Sequence, residues 1–124
     1  LGLGYRASGL KILTDLVGPS HAKEIFFAAR HFSAQEAFGM GLMTRIVPDA
    51  ELDSYVDNYC KLIGENAPLT MHAAKRTIEE LTRLDGKPDF ARLSGLVKEC
   101  FDSEDYKEGR TAFMEKRRPV FKGR

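Results

Sequence analysis

Apolar residues recur three and four positions apart along almost the whole chain, and each run ends at a proline or a glycine. That spacing suits helices that bury one stripe, and it leaves little room for sheet. From Leu10 the run Leu13, Leu16 and Val17 stops at Gly18-Pro19, and Ser20 restarts a helix with Ala22, Ile25, Phe26 and Ala29 on its apolar face. Ser33 and Glu36 stand three apart as a capping box, and Gly39-Met40-Gly41 supplies a left-handed exit. Leu52, Tyr55, Val56, Tyr59, Leu62 and Ile63 stripe a further helix behind Pro48-Asp49. Pro68 opens the next one, with Met71, Ala74, Ile78 and Leu81 on one face to about Leu84, before the expected turn Asp85-Gly86-Lys87-Pro88. Phe90, Leu93, Val97, Cys100 and Phe101 mark another. The last is expected from Ser103 to Arg118, where Pro119 ends it, with acids at its start and Arg117 and Arg118 at its end. The opening through Gly9 reads as a loop, and Met43–Val47 as the single short strand. The expected fold is therefore mainly α, with six or seven helices and at most one strand. The expected division is residues 1–48, then 49–124.

Charge narrows the function classes. Nineteen basic residues face eighteen acidic ones, for a net charge of +1. A dedicated nucleic-acid binder needs an excess of cations to displace counterions, so that class is set aside. No apolar run reaches the roughly 20 residues of a membrane span, and the start carries no signal-peptide pattern. An intracellular protein is expected. Cys60 and Cys100 lack ligand or CxxC spacing and read as reduced, packed thiols. Beginning at Leu1 inside a glycine-rich stretch, the sequence reads as the interior of a longer protein.

Few residues point to chemistry. His21, His31 and His72 have no metal-ligand spacing, and no serine or cysteine stands in a nucleophile elbow. Glu79-Glu80, Glu104-Asp105 and Glu108 fall on polar helix faces and read as solvated charges. The C-terminal segment is richer. Phe113 and Lys116 lie three apart, on one expected helix face, and the last fifteen residues hold six basic side chains against Glu115 alone. A ring beside cations can cover a nucleobase while the cations face phosphates. The competing reading puts Phe113 in the core and leaves the cations as helix-end charges.

Several segments together resemble the enoyl-CoA hydratase/isomerase, or crotonase, family, specifically its C-terminal half. They are Ser33-Ala34-Gln35-Glu36-Ala37, Gly41–Pro48, Ala67-Pro68-Leu69 with Lys75, and a closing signature. That signature runs through Asp105, Glu108-Gly109, Ala112-Phe113, Glu115-Lys116-Arg117, Pro119, Phe121 and Gly123. The resemblance implies the helical part of a crotonase-like fold without its α/β spiral core. It implies an acyl-CoA thioester as partner, with coenzyme A as part of the substrate and no metal or redox cofactor. It also implies a homo-oligomer, a trimer or a dimer of trimers, in the cytoplasm of a bacterium or an organelle matrix of a eukaryote. Phe113 and Lys116 match coenzyme A contacts, and Val97 a further contact position often aromatic in relatives. Gly4, Tyr5 and Arg6 fall on an acyl-pocket turn that ordinarily reads Pro-Gly-x-Gly-Gly, so bulkier groups stand there. The family's two glutamates and its pair of oxyanion-hole N–H donors have no counterpart in the chain, so no catalytic residue is assigned. Two other readings stay open: a non-catalytic helical oligomerisation module, and a crotonase-type enzyme of another reaction.

Overall fold

A computed structural model describes residues 2, 4–83 and 86–124. Leu1, Leu3, Leu84 and Asp85 lie outside them, and with them part of the acyl-pocket turn and of the turn before Pro88. The chain divides into two compact units, one running to Leu52 and the other Asp53–Arg124. Six α-helices and one 3₁₀ turn make up the regular structure of the described residues.

In the first unit, α1 (Ala7–Ala28) consists of two helical stretches across a break at Gly18, whose φ of 79° and ψ of 163° suit glycine alone. Pro19 then occupies the first turn of the second stretch, where its missing N–H is no loss. The helix starts at Ala7 rather than after Gly9. The Gly9 and Leu10 N–H groups both reach the Arg6 carbonyl, and one glycine in an exposed first turn costs only about 1 kcal/mol. Helix α2 (Ala34–Gly39) carries the expected capping box: the Glu36 N–H donates to Ser33 Oγ, and the Ser33 N–H donates to the Glu36 carboxylate. It leaves through Gly41 at φ 80°, with the Leu42 N–H on the Ala37 carbonyl and the Gly41 N–H on Phe38. Arg30 ties the two helices, pairing with Glu36 at 2.7 Å and Glu24 at 3.4 Å while lying 3.9 Å over the Phe32 ring.

The expected strand at Met43–Val47 does not form. A strand needs a neighbour for its N–H and C=O groups, and no strand exists among the described residues for it to pair with. Met43 and Ile46 remain exposed.

The second unit holds α3 (Leu52–Gly64) from its second residue on, α4 (Pro68–Leu81), α5 (Phe90–Asp102) and α6 (Glu104–Glu115). Helix α4 packs on α5, and α5 on α6. Asp89 caps α5 by accepting from the Arg92 N–H, and Ser103 caps α6 by accepting from Tyr106. Ala73 of α4, Leu93 of α5 and Ala112 of α6 are the buried apolar residues of these three helices. The stripe on α3 forms as expected but stays uncovered, since Leu52, Val56, Tyr59, Leu62 and Ile63 are all exposed. Cys60 is exposed on the same helix rather than packed, and Cys100 is half-buried. No helix among the described residues is long and apolar enough to cross a membrane.

Candidate functional site

The second unit contains an open cleft of about 800 Å³ between α4, α5, α6 and the C-terminal tail. Its walls are Ile78 of α4, Val97 and Phe101 of α5, Tyr106, Arg110 and Phe113 of α6, and Phe121 of the tail. Apolar stripes of three helices converge there, with the small residues Ala73, Ala74 and Gly109 also on the lining. Phe101 and Tyr106 meet edge to face with centroids 5.1 Å apart, and the Arg110 guanidinium lies 5.8 Å from the Tyr106 ring.

Val97 and Phe113, separated by sixteen positions in sequence, are thus brought into one wall. Phe113 is 81% exposed, which overturns its placement in the core. Lys116 is not on the helix face with Phe113. Helix α6 ends at Glu115, three residues before the expected stop, and Lys116 adopts a left-handed backbone with φ 55° at the corner. It is exposed and forms no ion pair among the described residues. Gly4, Tyr5 and Arg6 belong to the first unit and line no part of this cleft. Tyr5 sets its ring 4.7 Å from Phe26, and Arg6 occupies the N-cap of α1 without a side-chain cap bond.

Two acids expected as solvated charges hold the tail instead. Asp105 is 3% exposed and accepts the Lys122 and Gly123 N–H groups, each at 2.7 Å, while its own N–H reaches the Arg124 carbonyl. Glu108 accepts both outer nitrogens of Arg117, at 2.6 and 2.9 Å, and the Val120 N–H at 2.9 Å. The Arg117 fork, with help from Val120, holds the Glu108 carboxyl at about 2, well below the ordinary 4.5. Glu108 and then Glu115 push Arg117 up. Gly109 leaves room for Phe121, whose ring would stand 3.5 Å from a Cβ there, and Gly123 turns at φ 73° against Pro68. Most of the closing signature therefore folds the tail onto α6, and Phe121 becomes a cleft wall. Spacings of 12 to 18 residues between acid and N–H carry no local pattern, so sequence periodicity could not reveal these bonds.

The cleft offers an apolar aromatic wall, a guanidinium at Arg110, a half-buried thiol at Cys100 and a carboxylate, Asp105, already committed to backbone N–H groups. Those groups suit holding a flat apolar body beside a negative charge. Among the described residues no three His, Cys, Asp or Glu side chains converge as a metal site.

The model of the enoyl-CoA hydratase/isomerase family matches residues 1–124. The chain belongs to that family. Among its relatives, methylmalonyl-CoA decarboxylase of Escherichia coli is 34% identical over 99% of this chain and 48% of its own length. Short-chain-enoyl-CoA hydratase of Clostridium acetobutylicum is 34% identical over 95% of this chain and 45% of its length. The crystal structure of enoyl-CoA hydratase from Mycobacterium tuberculosis superposes with a TM-score of 0.82 at 32% identity, covering 99% of this chain and 49% of that one. The chain spans about half the length of the relatives it matches. The expected assignment to the family's C-terminal half is corrected on this point: matches to 45–49% of a relative support the family and not that placement.

Proposed function

We propose that this chain is part of an acyl-CoA enzyme and that the cleft beside Phe113 receives the nucleotide end of coenzyme A. The single observation that carries this reading is a large aromatic ring, 81% exposed, on the wall of an apolar cleft with a lysine at the next corner. An exposed phenylalanine gains nothing from water, whereas a nucleobase stacked on it gains about 1–3 kcal/mol. Val97 contributes an aliphatic contact, weaker than an aromatic residue would give. Lys116 supplies a cation for a phosphate, and Arg110 a second one at the rim.

The relatives favour the thioester over any one reaction. Two equally similar proteins are named for a decarboxylation and for a hydration, and both names contain a coenzyme A ester. Hydration or isomerisation of enoyl-CoA is the reading adopted here, through an enolate-like intermediate held by an oxyanion hole. The chain alone is read as inactive, with no residue of it assigned to that hole or to an acid–base pair, and with Gly4, Tyr5 and Arg6 shaping the acyl pocket. The uncovered stripe of α3 favours a homo-oligomer, a trimer or a dimer of trimers, and the cytoplasm is the compartment adopted with it. No cofactor beyond the coenzyme A of the substrate is required.

The test is titration calorimetry of coenzyme A into the protein expressed from its complete reading frame. Phe113→Ala is expected to weaken binding about tenfold or more, since each 1.4 kcal/mol is a factor of ten. Unchanged affinity in that variant would overturn the site.

A further inference from the structure

Helix α6 closes with two backbone bonds that together demand a left-handed residue at position 116. The Arg117 N–H donates to the Ala112 carbonyl at 3.0 Å, and the Lys116 N–H to Phe113 at 3.2 Å. Glycine ordinarily fills that place, because a Cβ there crowds the following carbonyl. Lysine stands in it with φ 55°. Besides Lys116, Ala29 is the other residue with a side chain that is left-handed among the described residues, and it ends α1 in the first unit.

What holds the corner is a side chain rather than glycine. Arg117 reaches back two and a half turns of helix and donates its two outer nitrogens to both oxygens of Glu108. Its Nε donates to Glu115 at 2.6 Å, and its Nη1 also meets the Arg118 carbonyl at 3.2 Å. A planar fork of this kind fixes direction as well as distance. Residue 117 is thereby pinned from both ends, its N–H on Ala112 and its guanidinium on Glu108, and residue 116 has no freedom left between them. Arg117 is consumed inside the fold, and Lys116 is left exposed one turn beyond the cleft ring of Phe113.

We propose that the Glu108–Arg117 fork is a positioning device that holds Lys116 left-handed so that its ammonium meets a phosphate of the nucleotide stacked on Phe113. The proposal rests on the coenzyme A reading and adds to it two residues that touch no ligand. A glycine at 116 would end the helix with less strain but would leave no cation there. The fork makes the lysine tolerable and aims it.

A double-mutant cycle separates this role from simple tail closure. Coenzyme A and adenosine, which lacks the phosphates, are titrated into the complete protein carrying E108Q, K116M, both or neither. K116M is expected to weaken coenzyme A about tenfold. E108Q is expected to weaken it about fivefold when Lys116 is present and less than twofold when Met replaces it, with adenosine affinity unchanged in all four proteins. R117K, which keeps the charge and loses the fork, carries the same test if E108Q does not fold, with the same expected pattern. Equal effects of E108Q with and without Lys116, or an equal loss of adenosine, would make the fork purely structural and overturn the proposal. Coenzyme A binding that ignores K116M altogether would overturn the lysine reading and the proposal with it. Loss on K116M without loss on E108Q or R117K would overturn the proposal alone.

Discussion

Replacing Asp105 by asparagine isolates the bond pair that holds the C-terminal tail. The carboxylate is 3% exposed and accepts two backbone N–H groups at 2.7 Å, from Lys122 and Gly123. Asparagine keeps the shape and one oxygen, but turns an NH₂ group toward the second N–H. One bond is lost with its donor left facing another donor, and the other falls from charge-assisted to neutral. A bond to a charged group contributes about 1.5–3 kcal/mol and a neutral one about 1, so the tail should loosen by about 3 kcal/mol. At 1.4 kcal/mol per factor of ten, the Lys122 and Gly123 amides should exchange with solvent about 100-fold faster. Hydrogen exchange read by mass spectrometry on the terminal peptide measures that directly. Glu104→Gln is the matched control. Glu104 lies one residue away, but it is exposed and pairs with Lys107, so tail exchange should not change. If D105N accelerates exchange less than threefold, the tail is held by packing of Phe121 on Gly109 and of Gly123 on Pro68, and the charge argument fails.

Two further outcomes follow from the same geometry. Glu36, held by Arg30 and then by Ser33, and Glu108, held by Arg117, both sit at about 2 against an ordinary 4.5. The unfolded chain therefore binds more protons than the folded one between those values. Their contribution is fully present above pH 4.5 and is lost as pH falls toward 2. Urea midpoints should hold level above about pH 5 and drop below it, and the drop should be shallower with Glu36→Gln and Glu108→Gln combined. A midpoint constant down to pH 2.5 would contradict this. Lys116→Gly should relieve the left-handed backbone and raise stability by about 0.5–1 kcal/mol, or roughly 4 °C in the melting temperature, while coenzyme A binding weakens. A melting temperature that falls would show that Lys116 is not strained.

Helix ends were legible because their signals are local. Ser33 with Glu36, Gly41, Ser103 and Pro68 each act within four residues of themselves, and each does in the structure what its chemistry demands. The break at Gly18-Pro19 is legible for the same reason. Met43–Val47 misled because the β-branched Thr44, Ile46 and Val47 state a preference for extended backbone and say nothing about a partner strand. The end of α6 misled because Lys116, Arg117 and Arg118 suit a helix C-terminus, while the fork from Glu108 stops the helix earlier.

By itself the sequence determined the helical class, the positions of most caps and breaks, the near-neutral charge, and a family resemblance spread over the whole chain. These depend on residues close together or on composition, where spacing is the physics. Only the tertiary structure decided that Phe113 is a bare wall of a cleft shared with Val97, that Lys116 stands at a left-handed corner, and that Asp105 and Glu108 hold the tail. Each of these needs two segments to meet that are 9 to 18 positions apart. Whether a ring is core or wall is set by what the fold places against it, and no periodicity along one helix carries that information.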